Sequence, residues 1–137
     1  MKILEQVQAV FAKYELKPIE IPAGYNDLYK YLRDHPGERE DKYTPEKDDD
    51  YFLIKYRVYI SKGHYGFAIG TPTVPAWCEI LDEILEICIS ADHRFEIQQI
   101  KMKMGGIRFY TESNVIEDIN EVESWIENTL YDKALIY

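Results

Sequence analysis

The sequence predicts an α+β fold, with an antiparallel sheet of about four strands and amphipathic helices packed on one of its faces. Three observations carry that expectation. Residues 51–60 alternate apolar and polar side chains at strand period. A Gly105-Gly106 pair stands between two further alternating stretches. Three segments, around 2–16, 73–90 and 114–131, repeat apolar residues at helical spacing. Hairpins alternating with such helices stack helix on sheet. The 137 residues suit one domain, 1–137, comprising an N-terminal helical segment (1–33), a loop (34–50) and a ββαββα core (51–137).

In chain order, Ile3, Leu4, Val7, Val10, Phe11 and Tyr14 form one apolar stripe, and Pro18 ends the helix that carries it. Ile19–Pro22 reads as extended. A short helix then runs from Gly24 or Asn26 to Arg33, and His35-Pro36-Gly37 stops it. Residues 34–50 hold eight acids, three bases and two prolines, which makes them a solvated loop. Asp48-Asp49-Asp50 lacks the alternating oxygens and glycine of a calcium loop, so it is read as plain acidic charge.

In 51–60, Phe52, Ile54, Tyr56, Val58 and Ile60 share one face of the expected strand, and Lys55 and Arg57 the other. SKGHYG is a turn, and Phe67-Ala68-Ile69 returns as a short strand. Thr73 and Pro75 open a helix to about Ser90, with Trp77, Ile80, Leu81, Ile84, Leu85 and Cys88 inward and Glu79, Asp82, Glu83 and Glu86 wet. Residues 95–104 form a strand with a bulge near Gln98-Gln99, where the apolar parity switches. The last helix runs from Asn114 to about Tyr131, with Asn114 and Glu117 as a capping box.

Sixteen bases against 25 acids leave a net charge of −9, which excludes a generic nucleic-acid binder because such proteins need a basic footprint. The loop alone supplies −5 of it, 3 − 8. With no run of about 20 apolar residues and no signal-like start, the chain reads as cytoplasmic, without membrane contact. Cys78 and Cys88 lie ten apart on one helix, roughly 15 Å at 1.5 Å per residue, and read as reduced, half-buried thiols. His35, His64 and His93 are scattered and no C-x-x-C occurs, so neither a metal nor another cofactor is expected. Without a P-loop, G-x-S-x-G or H-E-x-x-H motif, the chain reads as non-enzymatic, with no catalytic residues.

The most informative stretch is KMKMGGIRFY, 101–110. A two-residue turn at Gly105-Gly106 would set Lys103 opposite Arg108, Met102 opposite Phe109 and Lys101 opposite Tyr110. Lys101, Lys103, Arg108 and Tyr110 would then share the outer face. If 51–60 joins the same sheet, Lys55 and Arg57 extend that face into a basic, tyrosine-lined patch able to grip a small anion. Two plainer readings stay open: a merely solvated face, or one covered by the 34–50 loop.

KMKMGGIRFY resembles the K-x-K-x-G-G-(Leu/Ile)-R-F-Y signature of a family of small uncharacterised proteins from bacteriophages and bacterial genomes. Gly66, Phe67, Ile69, Gly70 and Trp77 resemble that family's G-F-x-I-G segment and Trp-bearing helix. The likeness spans roughly 63–126, with Met102 and Met104 where relatives often carry Glu and Phe, and without their later cysteine pairs. It implies this order of segments and a phage or mobile-element setting, hence a host cytosol, but no mechanism.

Two functions follow as expectations. The first is an acidic interaction protein of inhibitor, immunity or anti-defence type. It would bind a protein partner through Asp48, Asp49, Asp50 and Tyr43. The second is a small-anion or nucleotide-signal binder using Lys101, Lys103, Arg108, Tyr110, Lys55 and Arg57.

Overall fold

A computed structural model describes residues 1–14, 16–18, 23–25, 28–35, 50–61, 69–72, 75–103, 106–130 and 134–136. The fold is α+β, as the patterning predicts. Its elements in order are α1 (Leu4–Phe11), β1 (Leu16–Pro18), α2 (Leu28–Asp34), α3 (Tyr51–Lys55), α4 (Pro75–Ala91), β2 (Glu96–Lys103), β3 (Gly106–Glu112), α5 (Ile119–Thr129) and β4 (Ala134–Ile136). A 3-10 turn, Arg57–Tyr59, follows α3.

The core lies between α1, α4, α5 and the inner face of the β2–β3 hairpin. The fully buried Ile80, Leu81, Ile84, Leu85 and Cys88 of α4 meet this core. Val7, Val10 and Phe11 enter it from α1, and Val122 and Ile126 from α5. Trp125 packs edge-on against Phe11 with ring centres 4.6 Å apart. Ile100 and Phe109 close the core from the hairpin.

The expected sheet of about four strands is not formed. The described strands make two separate two-stranded antiparallel sheets, β1 with β4 and β2 with β3. Residues 51–60 are a helix and a 3-10 turn instead of a strand. Their alternation contains a second period: Phe52, Tyr56 and Ile60 are four apart and buried, whereas Ile54 and Val58 are 67% and 85% exposed. Every other member of the apolar set thus belongs to a helical stripe. Buried Thr71 supports this start, its Oγ1 accepting from the Phe52 N–H at 3.2 Å. Ile60 and Ile69 meet the β2 edge as isolated parallel bridges to Ile97 and Ile100, and the N–H groups of Ser61 and Gly70 donate to the Ile97 and Ile100 carbonyls at 3.0 and 2.7 Å.

The hairpin forms, and its register shift falls between Ile97 and Gln99, where parity predicts the bulge. Its pairing is two residues away from the expected one. Lys101 stands opposite Arg108, Met102 opposite Ile107 and Lys103 opposite Gly106. Gly106 is therefore a strand residue, while Met104 and Gly105 lie outside the described residues. A shift of two keeps the faces, so Ile107 and Phe109 remain inward and Arg108 and Tyr110 outward.

Helix boundaries move for similar local reasons. α1 stops at Phe11, and Leu16–Pro18 is already paired with Ala134–Ile136. α5 starts at Ile119, not at Asn114. The expected capping box is replaced by Ser113, whose Oγ accepts from the N–H groups of Val115 and Ile116 at 3.2 and 3.0 Å. Among the described residues, no helix is long and apolar enough to cross a membrane.

Candidate interaction surface

The outer face of the hairpin retains part of the expected basic patch. Lys101 and Arg108 are directly opposite and half-exposed, and Tyr110, 41% exposed, faces Gln99. Lys103 ends β2 opposite Gly106 and so is not the partner of Arg108. Two like charges across a strand pair cost a few tenths of a kcal/mol, roughly, unless a counter-charge joins them. Neither side chain makes an ion pair among the described residues.

Lys55 and Arg57 do not extend this patch, because their segment is not a strand. Arg57 lies in the 3-10 turn. Lys55 reaches α4, where its Nζ bonds Asp82 Oδ1 at 2.8 Å and Glu86 Oε1 at 3.0 Å. Asp82 is an anchor that helical patterning alone misses, since its position looks solvent-facing. Its carboxylate also accepts from the hydroxyls of Tyr51, at 2.6 Å, and Tyr56. Both hydroxyls come from α3 and its last turn, so α3 is riveted to α4 by one aspartate. The neighbouring Glu83 accepts from Tyr14 at 3.1 Å and pairs with Lys13 just beyond α1.

The shifts in this cluster describe a lock, not reactive chemistry. Burial works against the Asp82 anion, but its bonds to Lys55, Tyr51 and Tyr56 hold it below the usual carboxylate range. Burial and the Asp82 bond push the Tyr56 phenol up, and the Asp82 bond does the same to Tyr51. Partial burial opposes the Lys55 charge, yet its bonds to Asp82 and Glu86 raise the ammonium well above its ordinary range. A tyrosine or lysine serving as base or nucleophile needs the opposite shift.

Two pockets belong to the acidic side of the molecule. One, of about 480 Å³, lies between α1 and α4 beside Glu83 and Glu86. The other, of about 400 Å³, sits at the open end of the hairpin and is lined by Asp92, Arg94, Glu96, Glu112 and Ser113 among others. Lys101 and Arg108 line neither. Asp92 is satisfied internally: the Ser113 hydroxyl, at 2.6 Å, and the Arg94 N–H, at 2.9 Å, donate to it and hold its carboxyl low. Among the described residues there is no group of three His, Cys, Asp or Glu side chains able to hold a metal ion. Cys78 and Cys88 are not joined in a disulfide, as their spacing predicts, and both are buried rather than half-buried.

Of the acidic residues expected to meet a partner, Asp50 is exposed just before α3. Tyr43, Asp48 and Asp49 lie outside the described residues. The acidity continues well beyond that loop. Residues 63–93 contain five acids and 109–132 contain seven, with no lysine or arginine in either stretch. Glu79, Glu86, Glu117 and Glu121 are exposed along them. Comparison with family models, curated proteins and solved structures finds no match to this chain.

Proposed function

We propose that the protein is a non-enzymatic acidic interaction protein whose target is a protein with a basic surface. The observation that carries this reading is the unbroken acidity of α4, α5 and the segments around them. Twelve acids fall in two lysine- and arginine-free stretches, Glu79, Glu86, Glu117 and Glu121 among them exposed, and they join the −5 of residues 34–50. Such a surface steers a cationic partner and speeds encounter. An inhibitory, immunity or anti-defence role in a host cytosol is the biological form of this reading, in keeping with the phage-like signature of 101–110.

The small-anion alternative is weaker on the geometry. It loses Lys55 to Asp82 and Glu86, Arg57 lies in the 3-10 turn, and Lys101 and Arg108 stand on a strand face and line neither of the two pockets described above. A small ligand needs enclosing walls as well as charge.

The test is affinity capture from host cells, followed by binding kinetics with the purified partner. The expected partner carries a basic face. Replacing Asp48, Asp49 and Asp50 by Asn should slow association several-fold and flatten its dependence on salt. An unchanged on-rate would acquit the loop, and tight binding by a nucleotide in calorimetry, abolished in Arg108→Ala, would overturn the reading.

A further inference from the structure

The outer face of the hairpin carries a charge pattern with its own two-fold complement. At one end Glu96 stands directly opposite Glu112, and at the other Lys101 stands directly opposite Arg108. Tyr110, opposite Gln99, lies midway: along β3 the outward residues run Arg108, Tyr110, Glu112. The two charged pairs are about 14 Å apart, four residues at roughly 3.4 Å each.

Both pairs juxtapose like charges, and none of the four side chains has an ion pair among the described residues. Among the described residues, Glu96 accepts from the Ser61 hydroxyl and Glu112 from the Gln98 amide, each at 3.2 Å. Arg94 shares their pocket without bonding either one.

We infer that this face pairs with the same face of a second copy of the chain. Take a two-fold axis that lies between two stacked hairpins, perpendicular to the strands at the level of Tyr110. It reverses the strand direction and turns the faces toward each other. Arg108 of each copy then stands over Glu112 of the other, Lys101 stands over Glu96, and the two Tyr110 rings meet at the axis. Four cross-copy ion pairs replace four like-charge clashes, and the interface is isologous and closed. The order acid, tyrosine, base along one strand is what makes a second copy the fitting occupant; a uniformly basic or acidic partner would oppose half of it.

The face is small, so the dimer is weak, with a dissociation constant on the order of 0.1–1 mM. Each copy also carries −9, which repels over distance. At 0.15 M salt the screening length is about 8 Å, which damps that repulsion while contact pairs near 4 Å survive.

The inference is independent of the acidic-target reading and is tested without any partner. Sedimentation at 0.15 M salt, up to about 1 mM protein, should show the wild type associating. The Lys101→Glu/Arg108→Glu variant should associate at least about tenfold less. The quadruple variant that adds Glu96→Lys and Glu112→Lys restores the net charge and inverts the pattern, so it should associate as the wild type does. If it does not fold, an equimolar mixture of Lys101→Glu/Arg108→Glu with Glu96→Lys/Glu112→Lys must associate in its place. A wild type that stays monomeric overturns the inference, as does a double variant that associates unchanged, or failure of both rescues.

Discussion

Asp118 is buried, 3% exposed, and serves an element more than a hundred residues away. Its two oxygens accept from the N–H of Ile3, at 3.0 and 3.2 Å, and one also from the N–H of Leu4 at 2.9 Å. Ile3 precedes α1 and has no side-chain oxygen, so the helix start borrows its cap from the turn before α5. Burial opposes the carboxylate charge, but the two N–H groups more than offset this and hold its carboxyl below the ordinary range. Asp118→Ala strands both donors and should cost about 2–3 kcal/mol in urea unfolding. Asp118→Asn keeps one acceptor and should cost roughly half as much. Because the folded pKa is depressed, the stabilisation is complete above the unfolded value near about 4 and fades as pH falls through the folded one. The Asn variant should therefore lose less stability on acidification than the wild type does. Equal stability of wild type and Asp118→Ala would remove the cap from the account.

On the scale of elements, the notable join is between α5 and the outer edge of β3. Glu123 Oε1 accepts from the Thr111 N–H and hydroxyl, both at 3.0 Å, and Glu127, one turn on, accepts from the Phe109 N–H at 3.4 Å. Side chains thus occupy an edge that another strand would otherwise use. Burial pushes the Glu123 carboxyl up, and the Thr111 donors only partly counter this. With a raised folded pKa, the charged form is a liability that grows as pH rises past the unfolded value near about 4.3. Glu123→Gln keeps the acceptor without the charge and should match or exceed wild-type stability at pH 7, whereas Glu123→Ala should lose about 1–2 kcal/mol. Equal losses in the two variants would refute the acceptor role. This join was not legible in the sequence, because a helical stripe marks which residues face inward, not which backbone groups they meet. The hairpin, its bulge and the stripes of α4 and α5 were legible, since each rests on spacing within one segment. Two adjacent glycines offered more than one turn position, so the faces were readable while the pairing was off by two. The helix at 51–55 hid inside an alternation whose members at 52, 56 and 60 satisfy both periods. Three-residue strands such as β1 and β4, meeting from opposite ends of the chain, leave no local pattern to read. At the candidate surface, the loss of Lys55 depended on Asp82, a contact between segments that no single segment reveals.

Across the whole molecule these local shifts sum to a stability profile with two differently built limbs. On the acid side Asp82, Asp92 and Asp118 all have depressed carboxyls, so folding weakens as pH falls below about 4. Glu123 opposes them slightly, being relieved by protonation. On the alkaline side the groups whose pKa is raised include Tyr25, Tyr51, Tyr56, Lys55, Tyr14 and Cys88, the last two to about 12 by burial first of all. Each binds its proton more tightly when folded, so its contribution is complete below its unfolded pKa and is lost as pH rises through the folded one. For the tyrosines that loss begins near about pH 10. Deprotonation there adds negative charge to a chain already at −9, and the growing self-repulsion steepens the fall. Urea unfolding from pH 3 to 11 should thus give a plateau between roughly pH 6 and 9, with both flanks falling. Tyr56→Phe separates the local lock from the global charge. It removes one of three hydroxyl and ammonium donors to Asp82 and should lower the plateau by about 1 kcal/mol. It also removes a phenol that must ionise inside the core, so its alkaline flank should be shallower and cross the wild-type curve above about pH 10. A variant curve parallel to wild type would assign the alkaline limb to net charge alone, and the α3–α4 rivet would then carry no part of it.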